Sequence, residues 1–172
     1  MNLSDGVHQE ADLRATLRMI LKNAIEALGG GAGVVATWDE EEHCFVINDS
    51  CGLDDRALER LLPLLDEAIP DLAMSSQSFN VLSAILRPPL PKSDQGLILD
   101  PIVALPLQVG RRSLGLIYVM RPRGAASFSR IDQSTLNAFA RQAAVAVDNT
   151  RLVQHLVEEK TKMESMLEGS AE

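Results

Sequence analysis

No run of 18 consecutive apolar residues occurs in this 172-residue chain, which removes a membrane-spanning helix from consideration. Residues Met1 to Glu10 lack both a basic segment and an apolar core, so the N-terminus does not read as a secretory signal. Cysteine is nearly absent. Cys44 and Cys51, in a chain without secretory features, read as thiols of a reducing, cytoplasmic compartment and not as a disulfide framework. Basic residues are outnumbered, sixteen Lys and Arg against twenty-four Asp and Glu. A net charge of −8 is the wrong sign for tracking phosphates, so nucleic acid is not expected as a partner. Histidine is limited to His8, His43 and His155, and no CxxC, HExxH or carboxylate cluster with ligand spacing appears. Neither a metal nor a cofactor is implied.

What is present is 46% apolar content, enough for one core in one domain, without internal repeats or low-complexity tracts. From Gln9 to Leu28, the residues Leu13, Leu17, Ile20, Leu21, Ala24 and Leu28 recur at three- and four-residue spacing, the stripe of an amphipathic helix. Gly29-Gly30-Gly31 stops it. Gly33 to Asp39 and His43 to Asn48 read as a hairpin around an acidic turn. Asp54 to Ala68 reads as a second helix, closed by Pro70. Asp71 to Asp100, broken by Pro88, Pro89 and Pro91, reads as a short strand near Phe79 to Leu86 followed by a mobile loop, the kind of segment that often binds something. A second hairpin follows, Ile102 to Gln108 and Leu114 to Arg121. The last helix starts at Ser129 or Ile131, with Ser129 and Asp132 as first-turn residues, and meets no breaker before Gly169. Its first half is apolar and small-sided. Its second half, with Leu152, Leu156, Met163 and Met166, approximates a coiled-coil seam interrupted by Glu159. The order of elements predicts an α+β fold with an antiparallel sheet and the terminal helices gathered together.

From Leu13 to Leu156 this ordered set resembles a GAF domain. The resemblance is carried by Ala32-Gly33-Val34-Val35, by Ser50-Cys51-Gly52-Leu53, by Val103 to Leu107 followed by Ser113 to Val119, and by Phe128 to Asp132 followed by Leu136, Phe139, Ala140, Ala143 to Val147, Asn149 and Arg151-Leu152. It implies a PAS-like central antiparallel sheet with the first and last helices on one face and a ligand pocket on the other, lidded by the middle segment. Residues 1–12 then form an N-terminal extension, 13–156 the domain, and 157–172 a signalling helix and tail. The polar ending Gly169-Ser170-Ala171-Glu172, after an unfinished heptad, reads as a piece of a longer signalling protein with an output domain beyond it.

Gly115 lies in a strand interior, where glycine needs a close neighbour. The small run Ala140, Ala143, Ala144 and Ala146 is expected to bring the last helix against it. If Gly115, Ile117 and Val119 face the helices, alternation sends Leu114, Leu116, Tyr118 and Met120 toward the pocket, joined by Phe79 and Leu82 of the middle segment. Tyr118, the only tyrosine, either orients a ligand or fills a core edge with its hydroxyl in water. Trp38 reads as a cap of the sheet, and Arg111 and Arg112 as a solvated hairpin tip. Leu152, Leu156, Met163 and Asn149 are the expected dimer interface.

The specialised chemistries of GAF-like proteins each miss a residue here. Thiolate chemistry needs nearby cations, whereas Cys44 and Cys51 stand among Glu40, Glu41, Glu42, Asp49, Asp54 and Asp55. A bilin needs a Cys-His pair in the middle segment, and heme a proximal histidine facing the pocket. Cyclic-nucleotide GAF domains carry Asn-Lys ahead of Phe-x-x-x-Asp-Glu, and this chain has Phe128 and Asp132 but Gln133 and no Asn-Lys. The expectation is a non-enzymatic sensor of a small molecule or signal, homodimeric through its first and last helices, within a multidomain histidine kinase, cyclase or transcriptional regulator. The alternatives are a thiol-dependent methionine sulfoxide reductase-like enzyme, tested by Cys51→Ser, and a ligand-free dimerisation module.

Overall fold

A computed structural model describes residues 3–61 and 92–170. Seven elements are seen among them: α1 (Leu3–Ala27), β1 (Ala32–Asp39), β2 (Cys44–Cys51), α2 (Asp55–Leu61), β3 (Leu99–Val109), β4 (Arg112–Pro122) and α3 (Arg130–Ser170). The strands form one antiparallel sheet in the order β2-β1-β4-β3. The expected short strand near Phe79 to Leu86 and the second half of the Asp54 to Ala68 helix lie outside the described residues.

The sheet has a core on each face. On one side Leu17, Leu21 and Ala24 of α1, Leu28 just past it, and Leu136, Ala140, Ala143, Ala144 and Val147 of α3 pack on Val35, Val103, Leu107, Ile117 and Val119. On the other side Ala32, Val34, Ile102, Leu116, Tyr118 and Met120 form a second cluster with Leu61 of α2, against which Phe45, Ile47, Leu53 and Leu58 pack. The α1 stripe is thus the one its spacing predicts, and the helices share one face as the α+β order requires. The helix itself begins at Leu3, several residues ahead of the predicted Gln9.

Strand β2 runs to Cys51, three residues past the predicted end at Asn48. Val35 pairs with Asp49 and Ala36 with Ile47, so Asn48 is an extra residue in β2, a bulge that lets the strand continue through a polar stretch. The Thr37 hydroxyl lies 2.7 Å from Asn48 Oδ1. Strand β3 begins at Leu99, ahead of the predicted Ile102, and contains the cis bond Asp100–Pro101.

The close approach at Gly115 comes from a different element than expected. A Cβ there would lie 2.1 Å from the Ala36 carbonyl oxygen and 3.0 Å from the Thr37 Cα, so the neighbouring strand β1, not the last helix, requires glycine. The helix packs on larger residues of the same face.

Helix α3 opens with a reciprocal cap. The Asp132 N–H donates to the Ser129 hydroxyl (3.1 Å), and the Ser129 N–H donates to Asp132 Oδ2 (2.8 Å). The helix is 41 residues long, about 60 Å at 1.5 Å per residue. Val147 is its last buried residue, and every residue from Glu158 to Gly169 is exposed.

Candidate functional site

Strand β4, like β1, has neighbours on both its edges and cores on both its faces. Leu116, Tyr118 and Met120 point to the α2 side, as alternation predicts, and Ile117 and Val119 to the helices. Leu114 does not follow its predicted partners. It packs in the helix-side cluster. Leu107 pairs with Gly115 but Gln108 with Ser113, which leaves Leu114 as the extra residue of a second bulge and breaks the period of two. Phe79 and Leu82 lie outside the described residues.

Tyr118 is only 3% exposed, which removes the reading of a core-edge tyrosine with its hydroxyl in water. Burial pushes its phenol well above the ordinary value of 10.0. Leu116 and Met120 are fully buried beside it. Among the described residues, the α2 side of β4 is therefore an apolar, buried surface that carries the Tyr118 phenol.

A groove of about 1120 Å³ lies elsewhere, on the helix side between α1, α3 and the β1–β2 hairpin. Arg14 and Arg18 line it from α1, Trp38 and Val46 from the hairpin, and Arg151 and Gln154 from α3. Arg18 Nε donates to Asp49 at 2.8 Å, and the Arg151 guanidinium donates to the Trp38 carbonyl, so cations tie both helices to the hairpin. Trp38 meets Phe45 edge-on at 5.0 Å, consistent with a cap on the sheet. Arg112 is not simply solvated, since it donates to Asp148 of α3 at 3.0 Å. None of the three arginine contacts is visible from sequence spacing, since each spans thirty or more residues.

On α3 the predicted interface residues share one face. Leu152 is 51% exposed, Leu156 67% and Met163 64%, and Asn149 is exposed with them. Helical periodicity puts this face opposite Val147, Thr150 and Gln154, which line the groove. The thiols stand apart. Cys51 packs partly buried on the helix-side core, and Cys44 is exposed at the other end of β2, about 23 Å away by strand rise. His43 is an exposed turn residue at φ 50°.

Sequence reasoning missed Arg121. Its guanidinium, 11% exposed, donates to the Leu28 carbonyl at the end of α1 (Nε, 2.9 Å), to the Ala126 and Ser127 carbonyls (2.9 and 3.2 Å) and to Asp132 of α3 (3.2 Å). It also lies 4.1 Å above the Phe128 ring. One side chain joins the end of α1, the end of β4 and the start of α3. The Ser129 N–H, with help from the Ser129 hydroxyl and Arg121, holds the Asp132 carboxyl below its ordinary 3.8 against a smaller opposing effect of burial.

A two-faced antiparallel sheet with its terminal helices on one side and a buried apolar surface on the other defines an α+β scaffold. A family model for the GAF domain matches residues 12–149, and the chain belongs to that family. A comparison with curated proteins returns no match. Among solved structures, the chain is similar to the GAF domain of a phosphoenolpyruvate-protein phosphotransferase from Coxiella burnetii, at 14% identity and TM-score 0.62 over 90% of this chain and 98% of that one. It is also similar to the GAF domain of a putative sensor histidine kinase from Pseudomonas syringae pv. tomato, at 21% identity and TM-score 0.58 over 88% and 89%. A third is a GAF domain/HD domain protein from Geobacter sulfurreducens, at 18% identity and TM-score 0.54 over 83% and 96%. Among the described residues no helix is long and apolar enough to cross a membrane.

Proposed function

We propose that this GAF domain is a non-enzymatic sensor that reads a small apolar molecule on the α2 side of its sheet and relays occupancy through a dimeric α3 to an output domain. The observation that carries the reading is the two-sidedness of β4. Leu116, Tyr118 and Met120 line one face while Ile117 and Val119 bear the helices, so a displacement on one side is felt on the other within one strand. Arg121, at the end of that strand, extends the connection to the first turn of α3. By linkage, the ligand acts only through a difference in affinity between the two states of the helix. The kinship with a sensor histidine kinase domain supports the class of output.

Native mass spectrometry of the purified chain tests the reading. A dimer carrying a small mass that leaves on denaturation supports it, as does a thermal shift with an apolar ligand that Leu116→Trp abolishes. A dimer with no bound mass and no shift across apolar metabolites, amino acids and nucleotides overturns the sensing step. That result would favour a ligand-free dimerisation module, a second reading supported by the complete burial of Leu116 and Met120 within the protein's own side chains.

A further inference from the structure

The geometry points to an α3 seam divided at Glu159 into a permanent segment and a conditional one, an inference that rests on the dimer reading above. Positions 145, 149, 152, 156, 159, 163 and 166 advance in alternating steps of four and three. In two parallel helices this makes Val145, Leu152, Glu159 and Met166 one set of layers and Asn149, Leu156 and Met163 the other. The apolar members are all more than half exposed, from 51% at Leu152 to 74% at Met166, on the face turned away from the domain. A second copy of the chain is the occupant. A face with this repeat is self-complementary about a two-fold axis.

The two polar layers differ in consequence. Asn149 is neutral and bonds its own copy through paired amides, which fixes register and parallel orientation. Glu159 brings two carboxylates together, and withdrawing them from water costs more than one apolar layer returns. That layer stays hydrated. On its own helix Glu159 is flanked by Glu158, Lys160 and Lys162 and has His155 Nε2 at 3.6 Å, all on the water side. The seam therefore closes as 145–156, braced by the folded domain, and separately as 163–166. The second segment lies within the stretch 158–169, which is exposed throughout. It can open and close without dissolving the dimer, which is what a relay at this place requires.

Hydrogen exchange of the full chain, read by mass spectrometry at a concentration where sedimentation shows a dimer, tests the division. Expected are protected amides over 145–156 and fast exchange over 160–168, with Glu159→Leu slowing the second stretch at least about tenfold and leaving the first unchanged. Glu159→Ala, which keeps helix propensity without filling the layer, leaves the second stretch fast. Uniform protection across 145–168 in the unaltered chain, or no response to Glu159→Leu, overturns the division while leaving the dimer intact. A chain that sediments as a monomer overturns the dimer reading itself.

Discussion

Three polar side chains, Arg121, Tyr118 and Asp132, each have a clean test. Arg121, stacked on Phe128, satisfies four carbonyl or carboxylate partners, so Arg121→Met leaves the Leu28 carbonyl just past α1 without its side-chain donor and Asp132 with only the Ser129 N–H and its cap. A loss of about 3 kcal/mol in urea unfolding is expected, only partly recovered by Arg121→Lys, whose single ammonium cannot reproduce the fork. Tyr118 gives a pH signature. Its phenol is raised in the folded chain from 10.0, so the stability it contributes is complete below pH 10.0 and is lost as pH rises further. Because it is the only tyrosine, tyrosinate absorbance should appear together with unfolding and not before it, and Tyr118→Phe should flatten the alkaline loss of stability. Asp132 works with the opposite sign. Its lowered pKa means that the cap's stabilisation is present above 3.8 and lost as pH falls through the folded value, a dependence that Asp132→Asn should remove from acid unfolding curves.

At the scale of elements, spacing in the sequence was enough to place helices, strands and their inward faces, because apolar periodicity is a local property of the chain. The stripe of α1 and the Ile117/Val119 and Leu116/Tyr118/Met120 alternation of β4 were legible for that reason. Bulges were not. Asn48 and Leu114 each add one residue to a ladder, and nothing in a single sequence marks which residue is the extra one, so Leu114 was assigned to the wrong face and β2 ended early. The role of Gly115 was legible as a need for a close neighbour, but not which neighbour, since the Ala36 carbonyl lies nearly eighty residues back along the chain. Gly115→Ala should force β1 and β4 apart and cost about 2–3 kcal/mol, measured by thermal or urea unfolding. A cost near zero would mean that the strands separate more easily than their ladder implies. The groove cations Arg18 and Arg151 were invisible for the same reason as Gly115's neighbour, because their partners are distant in sequence; of Arg121's partners only Leu28 is distant, and the nearby ones lie in or just after an irregular turn that no periodicity marks.

At the scale of the molecule, the sheet divides two tasks between its faces, with an apolar surface under α2 and a helical frame opposite, and α3 extends from that frame by a dozen exposed residues. The exposed stripe Val145, Leu152, Leu156, Met163 and Met166, broken by Asn149 and Glu159, is hard to account for on a monomer, since it is largely apolar and turned away from the protein's own core. The measurement that bears most directly on the account is sedimentation equilibrium of the chain beside the double variant Leu152→Glu, Leu156→Glu. The unaltered chain is expected to be a dimer and the variant a folded monomer with unchanged far-ultraviolet dichroism per domain. A monomeric unaltered chain, or a variant that remains fully dimeric, would contradict it.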